Sequence, residues 1–213
     1  MVKKRLIGKN IIGIDELNNG FHIQRKDFPM VICGYLIEDF PSSYPERKYV
    51  RKNGIFGEKS DSVKEILGRA RPYFNENPDF FYTLIQKENL ENKPLYKRAE
   101  AIAAIVFRFF IDYGLSEENT LVIADWVGRD GFSKDICFFC NESFKIAGLD
   151  KLIIRFEKKA DVHNYAVKAA DRAAYYIGGL KYKSNWEKWP YSGRKVDMGE
   201  LPELIMKLKD QNP

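Results

Sequence analysis

Up to about Pro94 the hydrophobic residues come mostly in short uninterrupted runs between polar clusters; beyond it, many recur every three or four residues. The runs predict strands and the recurrences predict amphipathic helices, because side chains alternate along a strand and share a face about every 3.6 residues along a helix. Ile11-Ile12-Gly13-Ile14, bounded by Lys9-Asn10 and Asn18-Asn19-Gly20, predicts a short buried strand that ends on two acids, Asp15 and Glu16. Phe28 to Ile37 predicts a second strand, antiparallel to the first, and Phe80 to Ile85 a third. Between these two, the stretch from Pro41 to about Gly57 has no clean period and reads as an irregular excursion, residues 41–57. Ser60 or Asp61 then caps a short helix through Val63, Ile66, Leu67 and Ala70, which Pro72 ends.

Leu95, Ala99, Ile102, Ala103, Val106, Phe109, Phe110 and Tyr113 mark a long helix with Pro94 near its start and Gly114 at its end. Thr120 to Asp125 is continuously apolar until its last residue, the mark of a strand buried on both faces, and it too ends on an acid. Ser133 opens a helix through Ile136, Cys137, Cys140, Phe144 and Ala147. Lys151 to Phe156 is a fifth strand, and a last strong helix covers about Val162 to Ile177. Three strands followed by helix, strand, helix, strand and helix predict one α/β domain over residues 1–213, a mixed five-stranded sheet with helices on both faces.

At 213 residues and 45% hydrophobic, the chain can bury one sizeable core. No apolar run approaches the roughly 20 residues that cross a bilayer. Met1-Val2-Lys3-Lys4-Arg5 leads into no signal-type block, so a soluble cytoplasmic protein with no membrane partner is expected. The three cysteines, Cys33, Cys137 and Cys140, are too few for a disulfide framework. Cys137 and Cys140 lack a second pair and read as buried thiols on an apolar helix, not as a zinc site. A net charge of +5 permits nucleic acid as a partner without requiring it. Lys181, Tyr182, Lys183, Trp186, Lys188, Trp189, Tyr191, Arg194 and Lys195 form a basic, aromatic stretch within a C-terminal extension, about 181–213. Such interleaving suits strand binding, with cations on phosphates and rings on bases; it equally suits a surface segment whose rings plug into the core.

The acids carry the sharpest inference. In this element order the first and fourth strands are expected to be parallel neighbours about 4.8 Å apart, so Asp15 and Asp125 could reach one metal ion. Adjacent half-buried carboxylates raise each other's pKa unless a cation compensates, and Mg2+ or Mn2+ is the simplest cation. Two-metal phosphodiester hydrolysis needs three or four acids from separate elements. Asp15, Glu16 and Asp125 supply three. Asp161 and Asp171 compete for the remaining place, since ten residues along one straight helix separate them by roughly 15 Å. An irregular turn after the fifth strand could still bring Asp161 back. Asp161 alternatively caps the helix, and Asp171 alternatively pairs with Arg172 or Lys168. His163 is placed to orient a water or touch a phosphate, and Asn18, Asn19 and Lys168 are further candidate nucleic-acid contacts.

With these residues in view, the chain resembles the ribonuclease H-like superfamily. It is similar to type 2 ribonuclease H at Gly13-Ile14-Asp15-Glu16, at Ser60-Asp61-Ser62 before a helix, and at Lys159-Ala160-Asp161 followed by Ala169-Ala170. That resemblance implies a ribonuclease H-like fold and metal-dependent phosphodiester cleavage, with Asp15, Glu16, Asp125 and Asp161 as ligands. The type 2 pattern continues Asp-Glu with Ala-Gly-Arg-Gly, where this chain has Leu17-Asn18-Asn19-Gly20. Ala169-Ala170-Asp171-Arg172-Ala173-Ala174 is similar instead to the Ala-Asp helix of Holliday-junction resolvases and of other ribonuclease H-like proteins, which implies Asp171 as the last ligand. No phosphate-binding Gly-x-x-x-x-Gly-Lys-Ser/Thr loop, Gly-x-Gly-x-x-Gly or Gly-x-Ser-x-Gly is present. The expected activity is a divalent-metal-dependent nuclease acting on RNA, an RNA/DNA hybrid or structured DNA. The alternative is a catalytically inactive ribonuclease H-like module for nucleic-acid binding or protein assembly.

Overall fold

The computed structural model describes residues 10–17, 29–37, 80–86, 94–125, 130–179 and 193–211. The excursion at 41–57, the helix expected from Ser60, and Asn18, Asn19, Lys181, Lys183, Trp186 and Tyr191 lie outside the described residues. In chain order the elements are β1 (Asn10–Leu17), β2 (Met30–Ile37), β3 (Phe80–Ile85), α1 (Pro94–Tyr113), β4 (Thr120–Asp125) and α2 (Asp130–Ile146). They continue with β5 (Ile154–Glu157), α3 (Ala160–His163), α4 (Tyr165–Gly179), β6 (Gly193–Lys195), a 3-10 turn (Met198–Glu200) and α5 (Leu201–Gln211).

The strands form one sheet in the order β5-β4-β1-β2-β3-β6. β2 runs antiparallel to both of its neighbours, while β1 is parallel to β4, β4 to β5 and β3 to β6. The fold is therefore the α/β, ribonuclease H-like mixed sheet that the sequence predicts, with one strand more than the expected five. The added strand, β6, and the helix α5 come from the stretch read as a C-terminal extension. Three residues are too few for a strand period to show. The Leu201, Leu204, Ile205 and Leu208 stripe of α5 packs on the main core, so residues 193–211 belong to the body of the fold.

Alternation along the strands divides the interior in two. Ile12, Ile14, Ile32, Phe81, Val122 and Ala124 face α1, α2 and α5 in the larger core. Ile11, Val31, Cys33, Tyr35, Phe80 and Ile123 face α4 in the smaller one. α1 ends at Gly114, whose φ of 60° suits the left-handed position just past a helix. Several boundaries differ from the sequence reading. α2 begins at Asp130, ahead of Ser133, which is buried. β5 begins only at Ile154, because Leu152 is held in a turn by its N–H donating to the Leu149 carbonyl at 3.2 Å. Cys137 and Cys140 are free thiols, Cys140 buried and Cys137 half-buried. No helix among the described residues is long and apolar enough to cross a membrane.

Candidate active site

Asp15 follows Ile11 and Gly13 on the α4 face of β1 by strand alternation. Gly13 explains why α4 lies so close. A Cβ there would overlap the backbone of Ala166 and Val167, so only hydrogen lets the helix seat on the strand. Ala166, Ala169, Ala170, Ala173 and Ala174, all buried, give the helix the matching flat face. Asp171 rides on that helix, half-exposed.

Asp125 comes from β4, one position beyond the last paired residues of β1 and β4, Ile14 and Ala124. The parallel-neighbour expectation for Asp15 and Asp125 is thus met by the sheet. One oxygen of Asp125 is already engaged: its Oδ1 accepts the N–H of Ala160 at 2.8 Å, at the start of α3. The chain reaches α3 through Lys159 in the left-handed region, φ 57° and ψ 39°. This hydrogen bond ties the helix that carries Asp161 to the end of β4.

The last helix expected from sequence is two helices. Asn164 is extended, with φ −119° and ψ 121°, and separates α3 from α4. Its side-chain oxygen accepts the N–H groups of Ala166 at 3.0 Å and Val167 at 3.2 Å, a cap that starts α4 afresh. Because the helix is broken, Asp161 and Asp171 are not confined to one axis, and both act on Asp15. Burial pushes the Asp15 carboxyl well above the ordinary range, and the negative charges of Asp171, Asp125 and, more weakly, Asp161 push it further. The N–H of Glu16, 2.7 Å from Asp15 Oδ1, acts in the opposite direction.

Glu16 lies on the other face. The β1–β2 ladder continues unbroken from Asp15–Cys33 through Glu16–Ile32 to Leu17–Val31, so Glu16 turns toward α1. There its carboxylate lies 3.4 Å from Nε of Arg98, and both side chains are largely buried. Burial raises the Glu16 pKa, Arg98 holds it down, and the charge of Asp125 raises it. Sequence reasoning missed Arg98. The signal was present, since Arg98 stands one turn before Ile102 and in line with Leu95, a cation in an otherwise apolar stripe.

Cys33, opposite Asp15 on β2, is fully buried, and burial, then Asp15 and Asp171, push its thiol well up. Lys168, a candidate nucleic-acid contact, lies on α4 and is 2% exposed. Arg194 lies 4.8 Å over the Phe81 ring and bonds Asp112 at 3.1 Å, joining β6 to α1. His163 closes α3, and its side chain is outside the described residues. Among the described residues, no group of three or more acidic, histidine or cysteine side chains stands in metal-coordinating geometry.

No family profile and no curated protein sequence matches the chain. Among solved structures it is similar to Archaeoglobus fulgidus ribonuclease HII in complex with PCNA, at 19% identity over 84% of this chain and 76% of that one, TM-score 0.49. It is similar to Pyrococcus horikoshii ribonuclease H2, at 17% identity over 86% and 81%, TM-score 0.49. A point mutant of Bst ribonuclease HIII matches at 17% identity over 81% of this chain but only 52% of its own, TM-score 0.47. The chain's own strand order, with β2 alone reversed between β1 and β3, is what gives it the ribonuclease H-like fold.

Proposed function

We propose that the chain is a single-domain, cytoplasmic nuclease that cleaves phosphodiester bonds of RNA, an RNA/DNA hybrid or structured DNA with Mg2+ or Mn2+. One observation carries this reading: β4 beside β1 and α4 seated on Gly13 bring Asp125 and Asp171 to the same side as half-buried Asp15, whose carboxyl is pushed up by burial and by the charges of Asp171, Asp125 and, more weakly, Asp161. Such a concentration of like charge is unfavourable by itself and is relieved by a divalent cation. All four donors are carboxylates, the hard oxygen ligands that Mg2+ and Mn2+ favour. Asp15, Asp125, Asp161 and Asp171, with Glu16 next along the strand as a fifth candidate, would hold the ion, which when bound supplies an activated water and stabilises the leaving oxygen. At least one of these side chains must rotate inward on binding, since no coordinating group is yet assembled among the described residues.

The chain's own residues do the rest. The Asp125–Ala160 hydrogen bond fixes the approach of Asp161, and Gly13 lets α4 bring Asp171 down toward the strand. The basic, aromatic segment from Lys181 to Lys195 supports a nucleic-acid substrate.

The test is cleavage of labelled RNA, hybrid and four-way-junction DNA by purified protein with Mg2+ or Mn2+. Asp15→Asn is expected to abolish cleavage while leaving the circular dichroism spectrum unchanged. Cleavage that survives Asp15→Asn, or none on any substrate with either metal, refutes the proposal. A second reading, a binding module without chemistry, is favoured by Leu17-Asn18-Asn19-Gly20 standing where the type 2 pattern has Ala-Gly-Arg-Gly. Mn2+ titration by calorimetry separates the two, because a defunct site binds no ion.

A further inference from the structure

The two acids that end β1 stand on opposite sides of the sheet. Asp15 faces α4 and the other aspartates, whereas Glu16 faces α1, where Arg98 meets it. Nothing in the ladder permits both to turn the same way. The register runs in single steps through Asp15, Glu16 and Leu17, with no bulge to rotate Glu16 onto the α4 face. Arg98 is itself confined. It is 7% exposed, and its Nε lies 3.4 Å from the Met30 sulfur as well as 3.4 Å from Glu16 Oε2. A guanidinium shut into an apolar stripe needs a carboxylate beside it, and Glu16 is the acid that the strand delivers there.

We infer that Arg98 takes Glu16 out of the ion-binding set: Glu16 is the buried counter-ion of Arg98 on the α1 face, while strand alternation alone turns Asp15 toward α4. This rests on the proposed metal site and narrows its ligands to the four aspartates. Glu16 then has its cation in Arg98, on the face away from the other aspartates. Removing Arg98 alone leaves that charge buried and unbalanced, while removing both charges restores balance.

The experiment compares Glu16→Gln, Arg98→Met, the double variant and Asp15→Asn by urea unfolding and by Mn2+ calorimetry. Expected results are a Glu16→Gln affinity for Mn2+ within about twofold of the original chain, against a loss of at least about tenfold in Asp15→Asn. The double variant is expected to unfold at a higher urea concentration than Arg98→Met alone. If Arg98→Met does not fold, Arg98→Gln, which removes the charge but can still hydrogen-bond, takes its place in the cycle. A Glu16→Gln loss as large as that of Asp15→Asn overturns the inference, and so do additive effects of the two substitutions on stability. An original chain that binds no Mn2+ refutes the metal site, and the stability cycle alone then decides whether Glu16 and Arg98 are coupled.

Discussion

Replacing Gly13 by alanine tests the link between local packing and the site. The added methyl would point into the backbone at Ala166 and Val167, where α4 crosses β1. Overpacking a core usually costs about 1–3 kcal/mol. The added Cβ is fixed to the β1 backbone and meets main chain, and neither can rotate away as the end of a long side chain can, so about 3 kcal/mol is expected. In a chain of this size that lowers Tm by about 6–12 °C. Relief requires α4 to lift by roughly 1–2 Å, back to ordinary carbon contacts of about 3.5–4.0 Å. The lift carries Asp171 away from Asp15, so Mn2+ affinity should fall together with stability. Urea unfolding and Mn2+ calorimetry read the two effects, with Gly131→Ala as the control. A Cβ at Gly131 meets nothing within 4 Å, so that variant should be neutral or slightly stabilising. A Gly13→Ala protein within about 0.5 kcal/mol of the original chain would show that the close approach is not needed.

Two further outcomes follow from the same geometry. The folded Asp15 carboxyl holds its proton to higher pH than the unfolded chain does, so folding takes up a proton between the two pKa values. Stability from this group is therefore greatest at low pH and falls as pH rises from about 4 toward the folded pKa. The stability of Asp15→Asn relative to the original chain, measured by urea unfolding with chelator present, should grow over that window and shrink again on adding Mn2+. A difference independent of pH would contradict the crowding of charge around Asp15. Asn164→Ala removes the cap of α4 and should cost about 1–2 kcal/mol. Freed from its break, the segment can also run on as one helix, so Mn2+ affinity should drop as Asp161 moves; unchanged unfolding and binding would dismiss the cap as a positioning element.

The main strands and helices were written in local periods. Phe80–Ile85, Pro94–Tyr113 and Thr120–Asp125 fall where apolar runs and helical spacing predict them, since one buried face forces that pattern on any sequence. The parallel neighbouring of β1 and β4 followed from element order alone. What the sequence left open was decided by particular side-chain and edge contacts, one of them local and the others between distant segments. The break between the helices of Asp161 and Asp171 falls at Asn164, whose extended backbone ends α3 and whose side chain caps α4. β6 exists because β3 offers it an edge, with the Val196 N–H donating to the Tyr82 carbonyl at 2.8 Å. Asp15 and Glu16 read alike as adjacent acids, yet the sheet sends one to a cluster of like charges and the other to Arg98. Local sequence carries the period of burial, but the sign of the charge that a buried group meets depends on which distant element packs against it, and only the tertiary structure determines that.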